Sequence, residues 1–367
     1  MNLSISFPVL AVSAGLAILC SCRTSRESLP HGRGSDRTDV RPLRKLNVVL
    51  VTIDTLRPDR LGCYGYSKAE TPNLDNLARK GMLFENAVSH TPLTAPSHAS
   101  IFTGQYPTVH KVRDTGGFVL QPSNAALAPI LQGQGWDTAA FIGASVLKKR
   151  FGFNQGFAVY DDQMATPERR AGEVVDRAVR WLDSQSGKPF LLWVHLFDPH
   201  LPYDPPSPFK EKYSGNPYDG EVAYTDRELG RLFDRIAKKS PAEDTLIVVL
   251  SDHGESFSEH GEYAHGVFLY DATLRIPLLI AGAGVPAGLR VKQQARTIDL
   301  LPTLLELVGI GVPQNVQGVS LTPAFTGKAV AAEWSYAETL FPKFNMGWAE
   351  LRGMRTNRWK YIRAPRP

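Results

Sequence analysis

Residues 46–53, with the sequence Leu-Asn-Val-Val-Leu-Val-Thr-Ile, are followed directly by Asp54 and decide the fold of this 367-residue chain. A continuous run rich in β-branched residues is typical of a strand buried on both faces, as in a parallel sheet covered by helices. Further strands of this kind are predicted at residues 190–196, 245–250 and 277–281. Helices are predicted between them, at residues 71–81, 168–184 and 220–239. Strands that alternate with helices predict an α/β fold with a parallel sheet.

Composition excludes several classes of protein. Hydrophobic residues make up 43% of the chain and charged residues 21%, which excludes wholesale disorder. The net charge is +5, and the basic residues are mixed with acidic ones, so no nucleic-acid partner is expected. The chain has 3 cysteines, too few for a disulfide framework.

The first 45 residues are predicted to be a targeting segment and a tether. Residues 1–22 lack charged side chains, are mostly apolar and end at Cys22 in a segment that resembles a bacterial lipobox. Residues 23–45 are polar and typical of a tether. We therefore expect an exported protein, a periplasmic or cell-surface lipoprotein of a bacterium, that meets the membrane only through its N-terminal lipid. A catalytic domain is predicted at 46–330, followed at 331–367 by the start of a small C-terminal subdomain, expected to be incomplete.

Ionisable side chains follow three of the predicted strands. Asp54 follows the first, residues 198–200 (Asp-Pro-His) follow the second, and residues 251–255 (Ser-Asp-His-Gly-Glu) follow the third. In open α/β sheets, ligands bind beyond the carboxyl ends of the strands. One such aspartate could cap the next helix, but Asp54, Asp252 and His253 together form a suitable shell for a divalent metal.

Several short motifs, read in order, carry a resemblance to a known family. They are residues 51–59, 61–65, 71–75, 94–98, 103–107, 251–255 and 297–305. Together they resemble the sulfatase family of the alkaline phosphatase superfamily, over about residues 46 to 363.

This resemblance implies an alkaline phosphatase-like fold: a large mixed, mostly parallel sheet flanked by helices, with a small C-terminal subdomain. It implies a hydrolase of sulfuric or phosphoric esters, with one divalent ion (Ca, Mn or Zn) held by Asp54, Thr94, Asp252 and His253. Thr94 matches the nucleophile and opens a helix, where free N–H groups favour an anion. A second metal is left open.

Other side chains are assigned to the site with alternatives beside them. His200 and His265 are predicted to be catalytic, the alternative being ordinary histidines of surface loops, and Asp198 could join them at a second metal. Arg57 and His98 are predicted to bind the substrate. Three further histidines are expected to be structural or supporting, namely His110, His195 and His260.

Two departures from the family pattern bear on the substrate. Sulfatases oxidise a Cys or Ser at the position of Thr94 to formylglycine and carry an Arg at the position of His98. The segment that supplies a sulfate-binding Lys and His in many sulfatases is replaced by the apolar residues 140–146. A threonine nucleophile instead resembles the phosphodiesterases and membrane phosphotransferases of the superfamily.

Three functions therefore stay open. The first is a hydrolase that cleaves sulfate or phosphate esters of a small molecule, glycan or lipid. The second is a transferase that moves a phospho-alcohol group to a lipid or glycan. The third is a non-catalytic binding protein that keeps the fold.

Overall fold

A computed structural model describes residues 45–185, 187–331 and 334–365. The predicted signal, lipobox and most of the tether lie outside these residues, so export stays a prediction. Within them, no helix combines the length and the apolar character needed to cross a membrane.

The described strands and helices alternate along most of the chain. The strands are β1 (Asn47–Ile53), β2 (Gly81–Val88), β3 (Asp137–Ile142), β4 (Val159–Asp161), β5 (Phe190–Leu196), β6 (Thr245–Ser251), β7 (Ser256–Phe257), β8 (Tyr263–Ala264), β9 (Arg275–Ile276), β10 (Leu278–Gly282), β11 (Leu289–Arg296), β12 (Ser335–Thr339), β13 (Leu351–Arg355) and β14 (Lys360–Arg363). The α-helices are α1 (Pro72–Lys80), α2 (Thr94–Thr103), α3 (Pro107–His110), α4 (Leu127–Gly133), α5 (Ala171–Ser184), α6 (Phe209–Lys212), α7 (Pro217–Lys239), α8 (Asp271–Leu274), α9 (Leu300–Leu307) and α10 (Phe341–Met346).

A nine-stranded sheet forms the centre of the molecule, with the order β11-β2-β10-β6-β1-β5-β3-β4 and β9 paired to β2. Strand β1 pairs in parallel with both β5 and β6, whereas β10 is antiparallel to β6 and β2. The predicted α/β fold with a mixed, mostly parallel sheet is thus confirmed. Because Ile53 pairs with both Leu196 and Ser251, the carboxyl ends of the three strands reach the same edge.

Both faces of this sheet are covered, which explains why the sequence of β1 is mostly apolar. Val48 and Leu50 pack into one hydrophobic core, whereas Val49, Val51 and Ile53 pack into the core on the opposite face. Alternate side chains of a strand point to opposite faces, so a strand at the middle of a two-sided core has no polar face.

Helix α5 begins three residues later than predicted. A carboxylate oxygen of Asp198, which lies in the loop after β5, accepts the N–H of Ala171 at 2.7 Å. This distant side chain satisfies a free N–H at the start of the helix, the role that a local capping residue usually takes. The residues around position 168 do not indicate this contact, because Asp198 lies 27 positions away from Ala171 in the sequence.

The C-terminal part forms a separate three-stranded antiparallel sheet, in the order β12-β13-β14. The alternation of apolar and polar residues over 352–362 predicts a single strand, and this prediction is wrong, because the structure has two strands there, β13 and β14. The chain reverses between β13 and β14, where the N–H of Thr356 donates to the carbonyl of Trp359 at 2.8 Å. One long strand and a hairpin show the same alternation of apolar and polar residues, so this pattern could not distinguish between the two structures.

Asp299 supports one prediction about stability. It is fully buried, and its carboxylate accepts hydrogen bonds from Arg296 at 2.7 Å and from the N–H of Val319 at 2.9 Å. Asp299→Ala should lower the free energy of unfolding by about 3–5 kcal/mol, because it leaves the buried guanidinium without a partner. Denaturant unfolding would measure the loss. Glu85→Ala, which breaks an exposed pair with Arg290, is the control and should cost less than about 1 kcal/mol. Equal losses in the two variants would contradict the prediction.

Candidate active site

Two carboxylates and one imidazole meet at the carboxyl edge of the sheet. Asp54 follows β1 and Asp252 follows β6, and the pairing of Ile53 with Ser251 sets these two residues side by side. His253 Nε2 lies 3.5 Å from Asp54 Oδ1 and 3.5 Å from Asp252 Oδ2. All three side chains are fully buried.

This group fits a divalent metal ion. One ligand atom from each of Asp54, Asp252 and His253 can be chosen so that all lie within 4.8 Å of one another. Among the described residues, Asp54 Oδ1 and Asp252 Oδ2 have no hydrogen-bond partner, although both are buried. Buried carboxylate oxygens are normally hydrogen-bonded, so these two unpartnered oxygens indicate a site for a cation that would bind to their lone pairs.

The charges within the group lead to the same interpretation. Burial and the charge of Asp54 raise the pKa of Asp252 well above its usual range. Burial acts to raise the pKa of Asp54, but its interactions with His195, whose Nε2 lies 3.6 Å from Asp54 Oδ2, and with His200 and His253 more than offset burial, so the pKa is lowered. Two adjacent carboxylates cannot both ionise at low cost without a compensating cation.

Thr94 lies beside this group as the first residue of α2. Its hydroxyl oxygen is 3.4 Å from Asp54 Oδ2 and 3.3 Å from His253 Nε2. The hydroxyl therefore lies at a helix N-terminus, where unpaired N–H groups and the helix dipole favour negative charge.

His98 lies beneath Thr94, fully buried, and not at a surface that a substrate would reach. Its Nδ1 is 2.8 Å from the carbonyl oxygen of Thr94, which can only accept, so Nδ1 carries the hydrogen. Its Nε2 then accepts from the hydroxyl of Thr52, at 2.9 Å. Burial lowers the pKa of His98 to about 3, so the ring is neutral. The predicted substrate contact is replaced by a positioning role for His98 under the first turn of α2.

Arg57 is also placed differently from the prediction. Its guanidinium pairs with Asp59 at 2.8 Å and with Glu259 at 2.7 Å, and it donates to the carbonyl of Glu255 at 2.9 Å. The same group lies over the ring of Phe257, 4.6 Å from its centroid. With its donors engaged in this network, Arg57 holds the loop after β6 and is not aimed at a substrate.

The structure brings His200 and His265 to the site, as predicted. The ring of His265 lies 4.3 Å from that of His253, centroid to centroid, and its Nε2 is 3.2 Å from Nε2 of His200. The ring of His200 stacks on Phe197 at 4.2 Å. Asp198, by contrast, is bonded to the start of α5.

Sequence reasoning missed the contact of His195 with Asp54. His195 was expected to be a buried core residue, and it is fully buried. Its Nδ1 accepts the N–H of Gly143 at 3.3 Å, which leaves the hydrogen on Nε2, 3.6 Å from Asp54 Oδ2. The position of His195 could have indicated this contact, because it lies one residue before the end of β5, which pairs with β1.

Comparison with known proteins agrees with this geometry. The family model described as Sulfatase matches residues 46–310, and one described as N-sulphoglucosamine sulphohydrolase, C-terminal, matches residues 258–365. The chain belongs to the sulfatase family. An ulvan-active sulfatase of Formosa agariphila is 27% identical over 87% of this chain and 73% of its own length. A choline-sulfatase of Rhizobium meliloti is 25% identical over 87% and 79%, respectively.

Solved structures share the fold. The phosphonate monoester hydrolase of Agrobacterium radiobacter superposes with a TM-score of 0.75 at 20% identity, over 87% of each chain. Sulfatase-family enzymes use a divalent metal, and the unpartnered carboxylate oxygens of Asp54 and Asp252 fit one in this member. This chain is a sulfatase-like ester hydrolase.

Proposed function

We propose that this sulfatase-family hydrolase cleaves phosphate esters, with Thr94 as the nucleophile and with one divalent cation held by Asp54, Asp252 and His253. The observation that carries the proposal is the position of the Thr94 hydroxyl. It lies at the N-terminus of α2, within 3.4 Å of Asp54 and 3.3 Å of His253.

The side chain of Thr94 restricts how a covalent intermediate can break down. A formylglycine diol can expel sulfate by cleaving its own carbon–oxygen bond, because a second hydroxyl remains on that carbon. Threonine has one hydroxyl on its β-carbon, so this route is closed. The intermediate must instead be released by water that attacks the central phosphorus or sulfur atom.

Hydrolysis by this route takes two steps. The Thr94 oxygen bonds to phosphorus and loses its proton, the bond from phosphorus to the alcohol oxygen breaks, and the departing alcohol takes up a proton. Water next bonds to phosphorus, the bond to the Thr94 oxygen breaks, and the threonine hydroxyl is restored. Phosphoryl transfer suits such a site because positioning and electrostatics supply most of the catalysis.

The residues around Thr94 have separate tasks in this scheme. The first turn of α2 presents its N–H groups to the anionic ester, and His98 holds that turn through the carbonyl of Thr94. Ser97 donates to the carbonyl of Asp252 at 2.6 Å and so ties the helix to the metal-binding group. A divalent cation held by Asp54, Asp252 and His253 would lower the pKa of the adjacent hydroxyl and polarise the ester oxygen.

A panel of esters with one leaving alcohol tests the proposal. We expect kcat/KM for the phosphate monoester or diester to exceed that for the matched sulfate ester by at least about tenfold. A phosphonate monoester belongs in the panel as a third phosphorus centre. Purified protein should be assayed with Mn²⁺, Zn²⁺ and Ca²⁺ in turn, after mass spectrometry has confirmed an unmodified Thr94. A clear preference for the sulfate ester would contradict the proposal.

A further inference from the structure

The small C-terminal sheet has one covered face and one exposed face. On the covered face, Ile362 packs into a hydrophobic core with Leu269. The opposite face carries Trp359, Tyr361 and Met354, which are 74%, 66% and 51% exposed, respectively. Large apolar side chains that are exposed as a group, rather than singly, mark an interaction surface.

Strand pairing brings these side chains together with two arginines. Strands β13 and β14 are antiparallel, with Met354 opposite Tyr361 and Arg352 opposite Arg363. Residues that lie directly opposite point to the same face, with their Cβ atoms about 4.5–5.5 Å apart. The hydrogen bond that the carbonyl of Trp359 accepts across the turn continues this pairing, so Trp359 shares the face of Tyr361, two positions further on. We call these five residues the outer face.

The outer face has more positive charge than the neighbouring acids balance. Two arginines directly opposite each other repel, which favours an anion between them. Arg352 pairs with Glu350 at 2.6 Å, but the same carboxyl group also pairs with Lys343 at 2.5 Å. Within the described residues, neither Arg363 nor the turn residue Arg358 has an acidic partner. Arg363 can therefore bind an anionic ligand without first breaking an ion pair.

We propose that the outer face binds a linear polysaccharide that carries sulfate or carboxylate groups. The flat C–H face of a sugar ring packs on the electron-rich face of Trp or Tyr, and a guanidinium group matches sulfate and carboxylate with two parallel hydrogen bonds. Along β14 the side chains of Trp359, Tyr361 and Arg363 follow one another at about 6.8 Å. Rings and a cation thus lie along one line, as the sugar rings and anionic groups of such a polymer do.

Other partners fit the outer face less well. A second copy of the chain, bound about a two-fold axis, would bring the arginines of the two copies together. A membrane surface would take aliphatic or Phe side chains, and of the described residues on this face only Met354 is of that kind. A single-stranded nucleic acid needs a basic groove that follows several phosphates, whereas Arg352 and Arg363 form one pair.

Binding to an immobilised polysaccharide tests the proposal. The full-length protein is titrated over dextran sulfate, over neutral dextran and over polyglutamate, which is a polyanion without sugar rings. We expect saturable binding to dextran sulfate and none to dextran. Affinity for polyglutamate should be at least about fivefold lower, because it offers no ring for the aromatic side chains.

Aromatic variants test the stacking contact. Trp359→Ala and Tyr361→Ala should each weaken binding to dextran sulfate by at least about fivefold. Trp359→Phe keeps a ring at the same place and should stay within about threefold of the wild-type affinity. Thermal unfolding of each variant identifies a folding defect.

A double arginine variant tests the charge. Arg352→Gln combined with Arg363→Gln should weaken binding by at least about tenfold, because both cations opposite the anionic groups are lost. Arg79→Gln combined with Arg180→Gln is the matched control, since it removes two exposed arginines from α1 and α5 and changes the net charge equally. The control should stay within about twofold of the wild type.

Unchanged affinity in Trp359→Ala, or equal affinity for polyglutamate and dextran sulfate, would overturn the proposal. Tighter binding to anionic lipid vesicles or to a single-stranded oligonucleotide would overturn it too, as would a dimer that Tyr361→Ala dissociates. The proposal goes beyond the proposed function, because it depends on neither Thr94 nor the metal-binding group. Outer-face variants should therefore keep the wild-type kcat on a small soluble ester. Polysaccharide binding by a protein that hydrolyses no phosphate ester would contradict the function and support this surface.

Discussion

Thr94→Ala is expected to lower kcat for phosphate esters by at least about 10³-fold, because it removes the atom that bonds to phosphorus. The fold should be unaffected, since the change removes a hydroxyl and a methyl group at the first position of α2. Steady-state kinetics with the best ester of the panel would measure the effect. Thermal unfolding of the same preparations would confirm that the variant is folded.

Thr94→Ser is the matched control for that loss. Serine keeps a hydroxyl at the N-terminus of α2, so kcat should stay within about tenfold of the wild-type value. Acid quenching during turnover, followed by mass spectrometry, should find phosphate on the peptide that contains Thr94. Equal losses in the Ala and Ser variants, or full activity in Thr94→Ala, would exclude Thr94 as the nucleophile.

Asp252→Asn should have the second large effect, through the metal. Replacing the carboxylate with an amide removes a negative charge and an anionic ligand from the group with Asp54 and His253. Loss of a residue that merely orients a ligand costs about 10–100-fold in metal affinity, so loss of the ligand itself should cost at least about 100-fold. Activity should fall by a comparable factor at limiting metal. Equilibrium dialysis and initial rates measured across a metal titration would show both effects.

Asp176→Asn is a suitable control, because Asp176 is an exposed acid paired with Arg231. It changes the net charge by the same amount and should leave metal affinity and kcat unchanged. Wild-type activity of Asp252→Asn at limiting metal would show that the metal-binding group is assigned wrongly.

Much of the fold and part of the site could be predicted because they depend on local patterns. The unbroken apolar run of β1 predicts a strand buried on both faces, and the two cores that divide its side chains show this arrangement. Asp54 and Asp252 come directly after parallel strands, so their meeting follows from strand pairing alone. The resemblance to the sulfatase family, rather than strand pairing, implied that Thr94 begins a helix, and α2 does begin at Thr94.

The tertiary structure alone decided which partners the polar side chains around the metal-binding group have. Arg57 pairs with Glu259, 202 positions away in the sequence, and Asp198 accepts a hydrogen bond from the start of α5. His98 packs beneath Thr94 instead of facing the substrate, and the hydroxyl of Thr52 is its second hydrogen-bond partner. None of these three contacts has a sequence signal, because a polar side chain bonds to whichever partner the folded chain brings within reach.

The sequence by itself thus determined four neighbouring strands of the sheet, β1, β5, β6 and β10, the edge at which Asp54 and Asp252 meet, and that residue 94, the proposed nucleophile, is a threonine. Only the tertiary structure decided the hydrogen-bonding state of the histidines. Nδ1 of His200 and Nδ1 of His265 both carry a hydrogen, because two backbone carbonyls, of Leu201 and Pro92, accept from them. The tautomer of a histidine depends on its spatial neighbours, and in His265 that neighbour lies 173 positions away along the chain.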